Sequence, residues 1–352
     1  MAKKSTLTTW TEYLALRAFS ALTHSFDVDQ NLNTARTVGS IFFRSNAGRR
    51  ARAERNVALS FPDWPADRVA ETAERSMQHM FQIFMVDAFM MPRLITPRTW
   101  PEHIEFGNLE PILERLIRGE PLLLITGHCG NWEILGYALS VIGFPMVALA
   151  RPLDNPLINR WLLDIRERRG LRVLTKWGAT PELQAILHNG GRIGFIADQN
   201  AGDGGMFVPF FGRLASAYKS IGLLAMRFDI PIVAGLAQRL DGKLRYKLSC
   251  TDLIMPEEWK TQPDPLFYMT ARVSRALELM VREAPDQYLW IHRRWKSRPR
   301  HERLGRPFPP RLRDKLAALP WMTEQELARI EQLSTDPDHV EAGERKVRRA
   351  GK

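Results

Sequence analysis

The chain has 352 residues, 45% hydrophobic and 25% charged, values of an ordinary globular protein that exclude wholesale disorder. Lys plus Arg number 50 against 39 Asp plus Glu, and the net charge of +11 favours polyanionic partners (nucleic acid, anionic lipid or an acidic protein) without choosing among them. Two cysteines, Cys129 and Cys250, exclude a disulfide framework, and no run of about 20 apolar residues is present to span a membrane.

In chain order, the basic residues 1–5 lead into a partly apolar stretch, 10–26. Glu12, Arg17 and His24 interrupt it, so it is not read as a signal peptide. Leu14, Ala18, Ala21 and Leu22 share a helical face near Trp10, with Phe19 and Phe26 flanking. That face fits either a helix lying on a membrane surface or a first helix packed on the domain. Residues 8–91 read as helical, broken at Phe61-Pro62-Asp63-Trp64-Pro65. Arg44, Arg49, Arg50, Arg52 and Arg55 cluster before the break. After it, Val69, Ala73, Met77, Met80 and Phe84 recur at three- and four-residue spacing. This Met/Phe-rich stripe is either core or a surface adapted to an acyl chain.

From residue 108 short apolar runs alternate with helical patterns. Helices are expected at 109–118, 132–141, 156–169, 181–188 and 218–228. Strands are expected at 121–126, 145–150, 172–174, 192–197, 230–237 and 244–249. A long helix follows at 266–282. The fold class is therefore α/β, a mostly parallel sheet flanked by helices, with a helical N-terminal region. Three parts are expected: 1–107, helical, membrane-associating and packed on the core; 108–300, the α/β core; and 301–352, a basic Pro/Arg-rich segment and flexible tail. The segment 199–216 reads as a long glycine-containing loop. Gly202, Gly204 and Gly205 do not form a phosphate loop, because no Gly-Lys-Ser/Thr follows.

Sites in such sheets gather at the carboxyl ends of strands. His128, Arg151 and Asp198 each follow an expected strand. A general base needs a group of the histidine type, so His128 suits that role, and Glu133, five residues on, would fix its tautomer. Alternatively Glu133 is a first-turn acid favoured by the helix dipole. Cys129 lies near a helix start, which lowers a thiol pKa, yet its neighbour His128 points it elsewhere and makes it a small filler. Arg151 and Arg166 suit phosphate binding or carbonyl polarisation, or are solvated surface residues. Asp198 would orient Arg166 or a substrate hydroxyl, or cap a turn. His128, His188, His292, His301 and Asp198 are scattered, with no His-Glu-x-x-His and no cysteine pair, so neither metal nor cofactor is expected. The run 290–296 is basic and aromatic, suited to lipid phosphates at a membrane interface or to nucleic acid. No nucleic-acid-binding signature accompanies it, so no nucleic acid is expected.

One order of motifs is more specific than its parts: Gly127-His128-x4-Glu133, Arg151-Pro152-x-Asp154-Asn155-Pro156, Asp198-Gln199-Asn200 with Val208-Pro209-Phe210-Phe211-Gly212, and Trp290-x-His292-Arg293-Arg294-x-Lys296. Over roughly residues 10–300 this order resembles the bacterial lipid A biosynthesis acyltransferases, the late lauroyl/myristoyl enzymes. Arg55-Asn56-Val57-x-Leu59-x-Phe61-Pro62 also resembles that family's N-terminal region. The resemblance implies a glycerolipid-acyltransferase-like fold. It implies transfer of a fatty acyl chain from acyl carrier protein, or coenzyme A, to a hydroxyl of a lipid A precursor or related glycolipid. It carries catalytic roles to His128 and Glu133 as a dyad, to Arg166 and to Asp198. Substrate binding falls on Arg151, Asn131, Asn155, Gln199, Arg293, Arg294 and Lys296. Partners would be the acyl donor, a glycolipid acceptor and an anionic membrane surface, at the cytoplasmic face of the inner membrane, peripheral or monotopic. Acylation of a phosphatidylinositol mannoside, or non-catalytic lipid binding, are the alternatives. The sequence departs from the family pattern in its short, interrupted N-terminal apolar segment and in Ser216, where Thr is expected.

Overall fold

The computed structural model describes residues 5–167, 170–175 and 180–335. Arg168 and Arg169 of the expected 156–169 helix, the basic residues 1–4 and the expected terminal tail from 336 lie outside the described residues. The N-terminal region is helical, as its periodicity predicts: α1 (Thr6–Thr23), α2 (Val28–Ser45), α3 (Ala47–Ser60) and α4 (Ala66–Gln82). Ser5, Asp27 and Asn46 cap the first three, each side chain accepting a free first-turn N–H. A π-helical turn (Ile83–Asp87) joins α4 to α5 (Ala88–Leu94). Val69, Ala73 and Met77 of the Met/Phe stripe are buried and serve the core, whereas Met80 is half-buried and Phe84 is exposed.

After α6 (Trp100–His103), strands and helices alternate: β1 (Ile104–Phe106), α7 (Glu110–Arg118), β2 (Leu122–Thr126), α8 (Trp132–Ile142), β3 (Met146–Ala150), α9 (Pro156–Glu167), β4 (Leu171–Thr175), α10 (Thr180–His188) and β5 (Arg192–Ile196). A hairpin of β6 (Met206–Phe210) and β7 (Arg213–Ala217) precedes α11 (Ser220–Phe228), β8 (Ile232–Arg239) and β9 (Tyr246–Ile254). Helices α12 (Pro256–Lys260), α13 (Pro265–Glu283), α14 (Arg300–Arg303), α15 (Pro310–Ala317) and α16 (Glu324–Thr335) complete the described residues. The seven-stranded sheet has the order β1-β9-β8-β2-β5-β3-β4, and every neighbouring pair is parallel except β8–β9. All five β2 residues are buried, as the unbroken Leu-Leu-Leu-Ile run requires of a strand covered on both faces.

Three details depart from the sequence reading. β1 pairs with β9, so the sheet begins before residue 108. The stretch read as an open loop closes as the β6–β7 hairpin, turning at Phe211 and Gly212, whose φ values of 53° and 68° match a two-residue primed turn. Pro209 inside β6 hid that strand. Finally, the segment from 301, in which no helix was expected, carries α15 and α16: Leu316, Leu319, Leu327 and Ile330 share a buried core with Val208 and Phe210. Buried Arg298 donates to Glu302 at 2.6 Å, and Glu302 also accepts from Ser334 at 2.8 Å.

Candidate active site

The site sits where β2 and β5 end together. Thr126 lies opposite Ile196, so His128 and Asp198, each two residues further on, arrive at the same height. The His128 backbone N–H donates to Asp198 Oδ2 at 2.9 Å, and its ring Nδ1–H donates to Oδ1 at 2.8 Å. Asp198 is 0% exposed. Burial alone would raise its carboxyl pKa, but the charge of His128 and its hydrogen bonds, with His292 nearby, outweigh burial and hold it far below the usual range. An ionised carboxylate only accepts, so Nδ1 carries the ring proton and Nε2 keeps its lone pair.

This corrects the dyad expected from spacing. Glu133 does not hold the ring. Five residues past His128 it has already entered the first turn of α8, and it accepts from Arg166 of α9 at 2.8 Å. The neighbouring strand supplies the acid instead. Trp132 and His292 flank the imidazole, with ring centroids 4.7 and 4.4 Å from that of His128. His292 Nδ1 stands 3.9 Å from Asp198 Oδ2. Burial, then the adjacent His128, push the His292 pKa down to about 4, with Asp198 pulling the other way. His292 is thus neutral at physiological pH. The histidines that look scattered in sequence are therefore partly gathered: His128, Asp198 and His292 bring one potential ligand atom each within 4.8 Å. Both Asp198 oxygens are already engaged by His128. His188 and His301 lie elsewhere, against Phe228 and Phe308.

An open cleft lies beside Trp132. Its walls are apolar, with Leu124, Leu149, Phe195 and Ile196 from the strands, and the Glu133–Arg166 pair is its charged feature. The His128–Asn131 turn is clamped from several sides. His128 C=O accepts from Leu289 N–H at 2.9 Å, and Gly130 N–H donates to Gln287 C=O at 3.1 Å. Gly130 has φ +59°, and a Cβ there would lie 2.3 Å from Ala237 O, so only glycine fits. Cys129 is buried, and burial drives its thiol pKa well up, the opposite of an activated nucleophile.

The remaining expected site residues divide by exposure. Asn131 is fully buried as the cap of α8, accepting from Glu133 and Ile134 N–H and donating to Asp87 at 2.6 Å. Asn155 likewise caps α9, accepting from Leu157 and Ile158 N–H, and donates to Thr9 C=O and Glu12 of α1. Arg294 is buried under the hairpin, donating to the carbonyls of Gln199 and Ser216. Asn131 and Asn155 serve the framework, because their polar atoms are spent on backbone and neighbouring elements, whereas Arg294 braces the hairpin through Nη1 alone and its buried Nε and Nη2 have no partner among the described residues. Arg151, paired with Asp154 at 3.0 Å, and Gln199, Arg293 and Lys296 are exposed around the site.

Sequence reasoning missed a buried network behind the turn. Asp87 Oδ2 accepts from Arg239, Tyr246 (2.7 Å) and Asn131, while His79 Nε2 meets Gly130 C=O at 3.1 Å. Its available signal is a lone acid inside the apolar run Met85-Val86-Asp87-Ala88-Phe89. It also missed Asn56, whose Nδ2–H donates to Trp290 C=O (2.7 Å) and His292 C=O (3.1 Å), joining α3 to the site loop.

Comparison with known proteins gives a coherent result. The family model for bacterial lipid A biosynthesis acyltransferases matches residues 2–297. The lipid A biosynthesis lauroyltransferase of Escherichia coli is 24% identical over 266 residues, spanning 74% of this chain and 84% of that protein. The palmitoleoyltransferase of the same organism is 23% identical over 257 residues, 71% of this chain and 80% of that protein. A lipid A biosynthesis acyltransferase of Haemophilus influenzae is 23% identical over 248 residues, 69% of this chain and 74% of that protein.

Proposed function

The chain belongs to the bacterial lipid A biosynthesis acyltransferases, and from that membership we propose that it moves a fatty acyl chain from the thioester of acyl carrier protein, or of coenzyme A, to a hydroxyl of a lipid A precursor or related glycolipid. The observation that carries this reading is the His128–Asp198 pair beside an apolar cleft that contains Arg166.

In the proposed reaction His128 Nε2 takes the proton of the acceptor hydroxyl. Asp198 holds the opposite N–H and stabilises the imidazolium that forms. The acceptor oxygen attacks the thioester carbon, and negative charge collects on the carbonyl oxygen. Arg166, aligned by Glu133, is the cation assigned to that charge. The C–S bond then breaks, and His128 returns its proton to the thiolate, leaving an ester and a free thiol. The cleft walls would take the acyl chain, and the exposed cations Arg293 and Lys296 would face the acidic donor or the phosphorylated acceptor.

Attachment is proposed to be peripheral or monotopic, at the cytoplasmic face of the inner membrane. Among the described residues no helix is long and apolar enough to cross a membrane. On α1, Leu7, Trp10, Leu14 and Leu22 are exposed, while Tyr13 packs on Trp161 of α9. An amphipathic helix of this kind, held against the core by its other side, suits the headgroup boundary.

The deciding experiment supplies acyl carrier protein thioester with and without the lipid acceptor. Acylated lipid formed by the wild type and abolished in folded His128→Ala supports the proposal. Release of free acid at the same rate without lipid would make the protein a thioester hydrolase instead.

A further inference from the structure

The arginine cluster of 44–55 and the Trp290–Lys296 run lie far apart in sequence, yet the fold brings them together. Asn56 of α3 bonds the carbonyls of Trp290 and His292. Arg52 and Arg49 precede Asn56 by four and seven residues. That spacing stacks them on the same side of the helix as Asn56, one and two turns away. Arg293 follows His292 directly, and the His292 ring is in edge contact with His128.

We propose that Arg49, Arg52 and Arg293 form a phosphate-binding site at the rim of the catalytic centre, taking a phosphate carried by one of the two substrates. This rests on the acyl-transfer reading above.

Three further observations support it. Partial burial, then the charges of Arg293 and Arg49, push the Arg52 guanidinium below its ordinary pKa, as expected of three like charges held close. Among the described residues none of the three has a carboxylate within ion-pair distance, whereas Arg44, Arg115, Arg118 and Arg166 all do. Arg49 is held in place instead by the Phe42 ring, its guanidinium carbon 5.0 Å from the centroid. Clustered guanidinium groups without acid partners repel one another, and a doubly charged oxyanion relieves that repulsion through several charge-assisted hydrogen bonds. Arg293 is next in the chain to His292, whose ring centroid lies 4.4 Å from that of His128, so a phosphate seated on the arginines would orient a hydroxyl or thioester of the same molecule toward the imidazole.

Two sources of phosphate are chemically equivalent here: the sugar phosphate of a glycolipid acceptor and the phosphodiester of the donor's phosphopantetheine arm. Kinetics separate them. Arg52→Ala and the exposed Arg293→Ala are compared with Arg118→Ala, an exposed control on α7. Each is assayed on acceptor with and without its phosphates, and on donors with and without the phosphopantetheine phosphate. At least a tenfold rise in KM is expected for the phosphate-bearing form of one substrate, shrinking to within twofold on its dephosphorylated form. Equal losses on both forms, or no loss, would overturn the site. Calorimetry with inorganic phosphate gives a second reading that needs no turnover. Wild type should bind at least fivefold more tightly than Arg52→Ala/Arg293→Ala, and equal affinities would also overturn it. If the wild type binds phosphate through these arginines yet transfers no acyl group to any acceptor, the reaction falls and the site stands.

Discussion

Asp198 accepts two hydrogen bonds from His128, one from the backbone N–H and one from the ring. One carboxylate therefore fixes the position of the residue as well as the tautomer of its side chain. The two strands that carry them are adjacent, so no loop rearrangement is needed to form the pair.

Asp198→Asn should lower kcat by about 10²–10⁴ with little change in KM, because an amide no longer enforces the Nδ1–H tautomer or stabilises the imidazolium. Glu133→Gln should retain a pH–rate profile of wild-type shape, since Glu133 does not touch the ring. A lost acidic-limb pKa in Glu133→Gln but not in Asp198→Asn would reverse the assignment.

Arg166→Ala should cost about 10²–10³ in kcat if the guanidinium meets the developing oxyanion. Arg166→Lys, which keeps charge but loses the planar fork, should recover only part of it. Steady-state rates at saturating donor and acceptor decide this, and full activity in the alanine variant would remove Arg166 from the chemistry.

Asp87→Ala should destabilise the protein by about 3–5 kcal/mol, because it strands Arg239 as an unpaired buried cation. The loss is read as a lower Tm in calorimetry. An unchanged Tm would mean that the network contributes nothing to holding the His128–Asn131 turn.

Stability should fall as the solution is acidified from about pH 6.5. Burial, then the charge of Arg239, push His79 down to about 3, and His292 sits at about 4. In the unfolded chain both take a proton near 6.5, while the folded chain resists until much lower pH. The unfolded state thus binds more protons across that window, and stability is full above it and lost as pH falls through it. His79→Gln should flatten the slope of Tm against pH between 6.5 and 4. A slope as steep as wild type would exclude His79 as a contributor.

The strand-end positions of His128 and Asp198 were legible because unbroken apolar runs mark buried parallel strands, and sites follow their ends. Which acid met which ring was not legible. Sequence spacing measures distance along one chain segment, whereas β2–β5 pairing is a choice among several possible strand neighbours. The same reason hid the roles of Asn131, Asn155 and Arg294: a polar residue in a motif has the same letter whether it caps a helix or faces a ligand. The β6–β7 hairpin was obscured by Pro209 and by a Phe211-Gly212 turn that lacks the Asn-Gly signature. The arginine cluster was visible in composition, but its partner Arg293 lies more than two hundred residues away.

Asn56 and the Trp290–His292 loop, separated by 234 residues at the nearer bond, also set a timetable. At ribosomal speeds of about 5–20 residues per second, α3 exists for roughly ten to fifty seconds before its partner loop is made. During that interval the N-terminal helices have no site loop to close against. The catalytic centre is therefore one of the last parts of the molecule to assemble, and substitutions at Asn56 should lower the yield of active enzyme during synthesis more than they lower the turnover of the molecules that finish.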